Sequence, residues 1–251
     1  MKGPLNLVLA TDLDGTFLGG TEAERRALYQ ELNARDDVLL VFVTGRDRDF
    51  VRELVETPGM PRPRYIIGDV GTSVFDGDTF LPIPTLEAEI VSRWNDAGPR
   101  VREMLAEEPG LRPQPTPFRH RVSYYYDPEQ LQPRTIARIE AAGFDCVLSA
   151  DTYLDVLPRG IAKGPTLLRL VHALGLPAER VLTAGDTMND LSLFQTGLKG
   201  VAVGNAEPRL VAALDALPPH QARLIHRARP HGAAGIADAI RRFSLLPEAV
   251  A

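Results

Sequence analysis

Apolar positions in this chain come in two rhythms, and the switching between them outlines the fold. Leu5 to Ala10 is an almost unbroken apolar run, and so are Val38–Val43 and Tyr65–Gly68. Runs of that length, ended at once by polar turn residues, read as strands buried on both faces. Thr21–Asn33 and Asp47–Glu56 lie between them and read as helices; Thr21 with Glu24 three residues on has the form of a capping box. Strand–helix alternation of this kind implies a parallel sheet covered by helices. The rhythm then changes. Leu86 to Glu108 looks largely helical, with an expected break at Gly98-Pro99, and Pro113, Pro115 and Pro117 make a stiff connector. Arg121–Tyr126, Phe144–Leu148 and Tyr153–Leu157 read as strands and Pro128–Ala142 as a helix. After Lys163 the first rhythm returns, with strands at Val181–Ala184 and Gly200–Val203 and a closing helix near Ala233–Phe243. The expectation is one α/β domain, residues 1–79 and 159–251, interrupted by a smaller α/β domain at 80–158.

Composition narrows the functions. With 44% hydrophobic and 24% charged residues the chain is ordinary globular protein, able to bury a sizeable core. A formal net charge of −5 argues against a nucleic-acid partner, though not against small anions, since a bound metal reverses the local field. The single Cys146 leaves no intramolecular disulfide and no cysteine-based zinc cluster, which fits a reducing compartment. The first apolar run is too short for a signal-peptide core, and no stretch reaches membrane-spanning length. A cytoplasmic protein without a membrane partner is expected.

Four short motifs carry the chemistry. Asp12-Leu13-Asp14-Gly15-Thr16 follows the first strand directly, and in a parallel sheet ligands gather at the carboxyl ends of the strands. Asp12 can attack phosphorus, and Asp14 can protonate the leaving alcohol and then activate water. A calcium loop fits poorly, because Phe17 and Ala23 stand where an EF-hand needs Gly and Glu; a plain Asp-rich turn is the other reading. Thr44-Gly45-Arg46 ends the second strand before a helix and forms an anion site or an ordinary cap. Lys163-Gly164 offers a cation that would hold a neighbouring carboxylate ionised, although most lysines are merely solvated. Gly185-Asp186-Thr187-Met188-Asn189-Asp190 places two carboxylates four apart at a strand end, suited to a hard cation or to capping a helix.

Taken together, these motifs resemble those of the haloacid dehalogenase superfamily in its phosphatase branch. The resemblance covers roughly residues 1–80 and 160–245 and implies a Rossmann-like core with an inserted cap. It implies Asp12 as nucleophile, Asp14 as general acid/base and Lys163 as charge stabiliser. It further implies Thr44, Gly45 and Asn189 around the phosphate, and Mg²⁺ near Asp12, Asp186, Asp190 and the Asp14 carbonyl. The second aspartate points to phosphate chemistry, since the dehalogenases lack it.

Other stretches are similar to the sucrose-phosphate phosphatase family: Tyr65 to Thr72, Ser123-Tyr124 before Asp127-Pro128, Asp155 to Pro158, Gly200 to Pro208 and His231 to Ile236. Ala162 departs from the wider superfamily, where Asn, Asp or Ser often precedes the lysine. The similarity implies a sugar-phosphate substrate, sucrose 6-phosphate or a similar disaccharide phosphate. The alternatives are mannosylfructose phosphate, another sugar or polyol phosphate, or a non-catalytic partner of a sugar-phosphate synthase; association with such a synthase is a further expectation. Gly68–Ser73 is placed at the hinge side of the site, with Gly71 and Thr72 among its substrate-binding candidates. A closed cap is expected to exclude water from Asp14. Arg121, Ser123, Ser149, Asp151 and Tyr153 are the cap side chains able to meet sugar hydroxyls, whereas His120 is assigned to the wet side of its strand and Trp94 to packing.

Overall fold

The computed structural model describes residues 5–247. The first half of the core runs β1 (Leu7–Thr11), α1 (Glu22–Asn33), β2 (Val38–Val43), α2 (Arg48–Leu54), β3 (Tyr65–Gly68) and β4 (Ser73–Asp76). The insertion follows as α3 (Pro84–Trp94), α4 (Gly98–Leu105), β5 (Leu111–Pro113), β6 (Val122–Tyr126), α5 (Pro133–Ala141), β7 (Phe144–Ser149) and β8 (Tyr153–Pro158). The chain then returns through α6 (Lys163–Ala173), β9 (Val181–Gly185), α7 (Leu191–Phe194), β10 (Lys199–Ala202), α8 (Pro208–Asp215), α9 (Pro219–Ala222), β11 (Ile225–Arg227) and α10 (Gly232–Arg242).

The large sheet has the order β11-β10-β9-β1-β2-β3-β4, parallel except for the β3–β4 pair. Sequence order runs outward from β1 in one direction through β2 and in the other through β9, so the switch point lies between β1 and β9. Alternation along β1 explains why the strand is apolar throughout: Leu7 and Leu9 join Leu28, Val51 and Ile236 on one face, while Val8 and Ala10 join Ile90, Leu167 and Leu170 on the other. Each fully buried leucine, valine or isoleucine among them contributes roughly 1.5–3 kcal/mol.

The insertion builds a four-stranded antiparallel sheet, β5-β6-β8-β7, with its own cluster of Trp94, Val101, Leu105, Tyr124, Tyr126, Ile139 and Val156. Helix α3 serves both sides, since its Leu86 and Ile90 pack with the large sheet while Trp94 packs with the small one. Three local expectations shift. The helical break falls at the left-handed Asn95 and Asp96, and Gly98-Pro99 opens α4, because proline fits a first helical turn. Pro128 lies in a turn, and the next helix starts at Pro133. Pro113 ends an edge strand of the small sheet.

Candidate active site

All four motifs meet at the carboxyl edge of the large sheet. Asp12 follows β1, and its N–H donates to the Ala184 carbonyl of β9 at 2.9 Å. Lys163 opens α6 with no solvent exposure. Its Nζ donates to Asp12 Oδ1, Asn189 Oδ1 and Asp190 Oδ1, each at 2.7 Å. Burial opposes a charge on this amine, but Asp12 and Asp190 outweigh it and hold Lys163 above the ordinary lysine range. Asp190 also shapes its own turn, for its second oxygen accepts the N–H groups of Asp186 and Thr187 at 3.0 and 3.1 Å.

Among the described residues, Asp12, Asp186 and Asp190 bring carboxylate oxygens within 4.8 Å of one another. Three buried carboxylates against one ammonium leave excess negative charge. Burial raises Asp12 well above the usual carboxylate range although Lys163 pulls the other way. Burial, then Asp190, pushes Asp186 up to about 7. A donor set made only of oxygens and short of positive charge fits a hard divalent cation such as magnesium. Thr16 Oγ1 donates to Asp186 at 2.8 Å, and Asn205 Nδ2 donates to Asp186 at 3.2 Å and to the Gly15 carbonyl at 3.0 Å. Gly15 has φ 77°, and a Cβ there would lie 2.1 Å from Asp186 Oδ2, so no larger residue fits.

Asp14 stands apart from the buried cluster. Its carboxylate takes a bidentate pair of bonds from Arg46, at 2.8 and 2.9 Å, and about half of the side chain (52%) is exposed. The expected exclusion of water from Asp14 is therefore not met in this conformation. Thr44 is buried, and its Oγ1 accepts the Arg46 N–H at 3.1 Å; the Gly45 Cα faces Val70 and Asn189. This loop grips a strained one. Asp69 and Val70 have φ of 54° and 57°, unusual for any residue and most of all for a β-branched one. Their N–H groups donate to the carbonyls of Arg46 and Thr44 at 3.1 and 3.0 Å.

Gly71 and Thr72 are held by contacts within the fold. The Gly71 carbonyl accepts from Thr166 at 2.7 Å, the Thr72 hydroxyl and N–H both donate to the Asp69 carbonyl, and the Thr72 carbonyl faces His120 Nδ1 at 3.2 Å. Both residues shape the loop and dock it on α6 and the insertion. His120 is thus half-buried against the core rather than on a wet face. Arg121 and Ser123 also change meaning. Both bond to Asp155, at 2.8 and 2.5 Å, and Arg121 donates to the Gly45 carbonyl at 2.8 Å, so they tie the insertion to the Thr44–Arg46 loop. Ser149 is buried, Asp151 pairs with Arg209, and Tyr153 stays 40% exposed. Sequence reasoning missed the Arg46–Asp14 pair, Thr16 and Asn205 as site residues. All three residues lay in stretches the sequence had singled out, but their partners were not visible there, because the bonds join parts of the chain up to 190 residues apart.

This arrangement is that of the haloacid dehalogenase superfamily, in its phosphatase branch. The model of the sucrose-6F-phosphate phosphohydrolase family matches residues 5–244, and the chain belongs to that family. It is 40% identical over 241 residues to a glucosylglycerol-phosphate synthase of Pseudomonas anguilliseptica, covering 96% of this chain and 31% of that protein. It is 31% identical over 253 residues to the mannosylfructose-phosphate phosphatase of Agrobacterium fabrum, covering 97% and 99%. The X-ray structure of the sucrose-phosphatase of Synechocystis sp. PCC6803, in complex with sucrose and phosphate, superposes with a TM-score of 0.84 at 27% identity, covering 97% of this chain and 100% of that one. The chain spans 31% to 66% of the length of the first curated relatives it matches. No helix among the described residues is long and apolar enough to cross a membrane.

Proposed function

We propose that this chain is a magnesium-dependent phosphatase that hydrolyses a sugar phosphate, sucrose 6-phosphate or a similar disaccharide phosphate, through an aspartyl-phosphate on Asp12. One observation carries the reading: a fully buried Lys163 joins the carboxylate that ends β1 to Asn189 and Asp190 across the switch point. A carboxylate nucleophile beside a fixed cation is what attack on a phosphate dianion requires.

Asp12 attacks phosphorus, the bond from phosphorus to the sugar oxygen breaks, and Asp14 gives its proton to that oxygen. Asp14 then takes a proton from water, whose oxygen attacks the phosphorus on Asp12 and frees inorganic phosphate. The Thr44 hydroxyl, the Gly45 N–H and the Asn189 amide hold the phosphate oxygens, and Lys163, whose three N–H groups go to Asp12, Asn189 and Asp190, supplies positive charge beside them. Asp12, Asp186, Asp190 and the Asp14 carbonyl would hold a magnesium ion, which supplies positive charge for the phosphate oxygens in the transition state. Asp14 can act as an acid only after its bidentate bond to Arg46 opens, a step that suits entry of the sugar beneath the cap, residues 80–158.

A second reading keeps the chemistry and changes the alcohol. The 40% identity to a glucosylglycerol-phosphate synthase favours a glycosylated polyol phosphate, and the small share of that protein covered favours action beside a synthase. Phosphate release from sucrose 6-phosphate, mannosylfructose phosphate, glucosylglycerol phosphate and p-nitrophenyl phosphate, with magnesium and with EDTA, separates these readings. The phosphatase reading requires magnesium-dependent release from at least one glycosyl phosphate; no release from any of them overturns it.

A further inference from the structure

Glu207 touches three parts of the molecule that are distant in sequence. It precedes α8, and its N–H donates to the Asp186 carbonyl at 2.8 Å. One carboxylate oxygen accepts the Met188 N–H, and the other accepts the Ala150 N–H at 3.2 Å. The first two contacts brace both sides of Thr187, in the turn that carries Asn189 and Asp190. The third reaches the tip of the β7–β8 hairpin in the insertion. That tip is strained, for Ala150 and Asp151 have φ of 52° and 44°, a region that glycine and asparagine enter readily and alanine does not. Strain of this kind persists where the surroundings over-determine it. Strand β7 packs against Met188–Asp190, and Asp151 pairs with Arg209 of α8 at 3.0 Å. Both members of that pair are mostly exposed, so it orients the tip more than it holds it.

We propose that Glu207 is a positioning residue for the hydrolysis. Its carboxylate latches the cap hairpin to the Met188–Asp190 turn, so that seating the cap and presenting Asn189 and Asp190 to Lys163 are one event. The chemistry explains the residue type. A carboxylate accepts two N–H groups at once, and such charge-assisted bonds are stronger than neutral ones. Glutamine has one oxygen and an NH₂ group that would confront one of the two donors.

The kinetic arm of the test rests on the phosphatase reading; the structural arm does not. Glu207→Ala and Glu207→Gln are compared with the wild-type chain by hydrogen exchange in peptides covering residues 144–153 and 186–191. Exchange is expected to rise about tenfold in both segments together, while β1 stays protected. Steady-state hydrolysis of whichever glycosyl phosphate the wild type accepts is expected to lose about tenfold in kcat for Glu207→Ala, with KM within about threefold, the pattern of an interaction that matters in the transition state. Hydrolysis of p-nitrophenyl phosphate, too small to need the cap, falls less. Arg209→Ala, on the same surface, stays near wild type in both measurements. Exchange that rises in only one segment overturns the latch, as does a kcat that is unchanged or falls only with the folded fraction. If the wild type hydrolyses nothing, the phosphatase reading fails and the exchange measurement still decides the latch.

Discussion

Lys163 is the residue around which the site is arranged. A buried ammonium is stable only with anionic partners, and Asp12 and Asp190 provide them at 2.7 Å. Asp12→Asn keeps the size of the side chain and removes both the nucleophile and the charge that Lys163 faces. Turnover is expected to vanish while the circular dichroism spectrum stays native; near-normal phosphate release by the folded variant would exclude the covalent route. Asp186 gives a test that needs no substrate. Its folded value of about 7 lies above the ordinary aspartate value near ~3.9. Between those values the folded chain binds more protons than the unfolded one, so stability is lost as pH rises through the window. The melting temperature of EDTA-treated protein should therefore fall between about pH 4 and 7. Magnesium should raise it most near the upper end, where the cluster carries the most negative charge within that window. A metal-free melting temperature that rises or stays level across the window would contradict this picture of the cluster.

At the scale of elements, the start of α6 and the Asp69–Gly71 turn are fitted to each other. Gly71 has φ 94°, and a Cβ there would lie 2.3 Å from the Ala162 carbonyl carbon, a backbone atom that cannot swing aside. Gly71→Ala should cost about 1–3 kcal/mol in urea unfolding. It should also lower kcat, because the backbone it displaces carries Lys163. A variant as stable and active as the parent would mean that the turn yields instead. Helix α1 offers the contrast. Its capping box, with the Thr21 N–H donating to Glu24 at 2.7 Å, bonds to none of the site's side chains. Thr21→Ala should cost about 1 kcal/mol and leave kcat unchanged.

Across the whole molecule, the insertion is pinned to the core by Arg121. This guanidinium and Asp155 are both about 4% exposed, and the other arm of Arg121 reaches the Gly45 carbonyl. Arg121→Ala strands a buried carboxylate and should destabilise the protein by about 3–5 kcal/mol. It should also weaken the preference for a glycosyl phosphate over p-nitrophenyl phosphate, measured as the ratio of kcat/KM values. An unchanged ratio in protein still folded would mean that the cap does not act through this link. Arg121 is therefore a poor probe of sugar contacts; the half-exposed Tyr153 is a better one.

The sequence alone determined the elements whose signals are local. The apolar runs of β1, β2, β3 and β9 had to be buried strands, and the Thr21–Glu24 pair announced its helix. Asp12, Thr44, Lys163 and Asp186 stand at strand ends or helix starts, so a common sheet edge was legible without coordinates. The short edge strand β11 and the antiparallel β4 carried no such signal, because little in so few residues separates an edge strand from a loop. Tertiary structure alone decided which polar groups meet. Asp14 on Arg46, Asn205 on the Gly15 carbonyl, Arg121 on Gly45 and Glu207 on both Met188 and Ala150 are bonds across 19 to 190 residues. Burial forces a chain to pair its polar groups, but the partner is chosen by which loops the packed sheet brings side by side, and that is a property of the assembled fold.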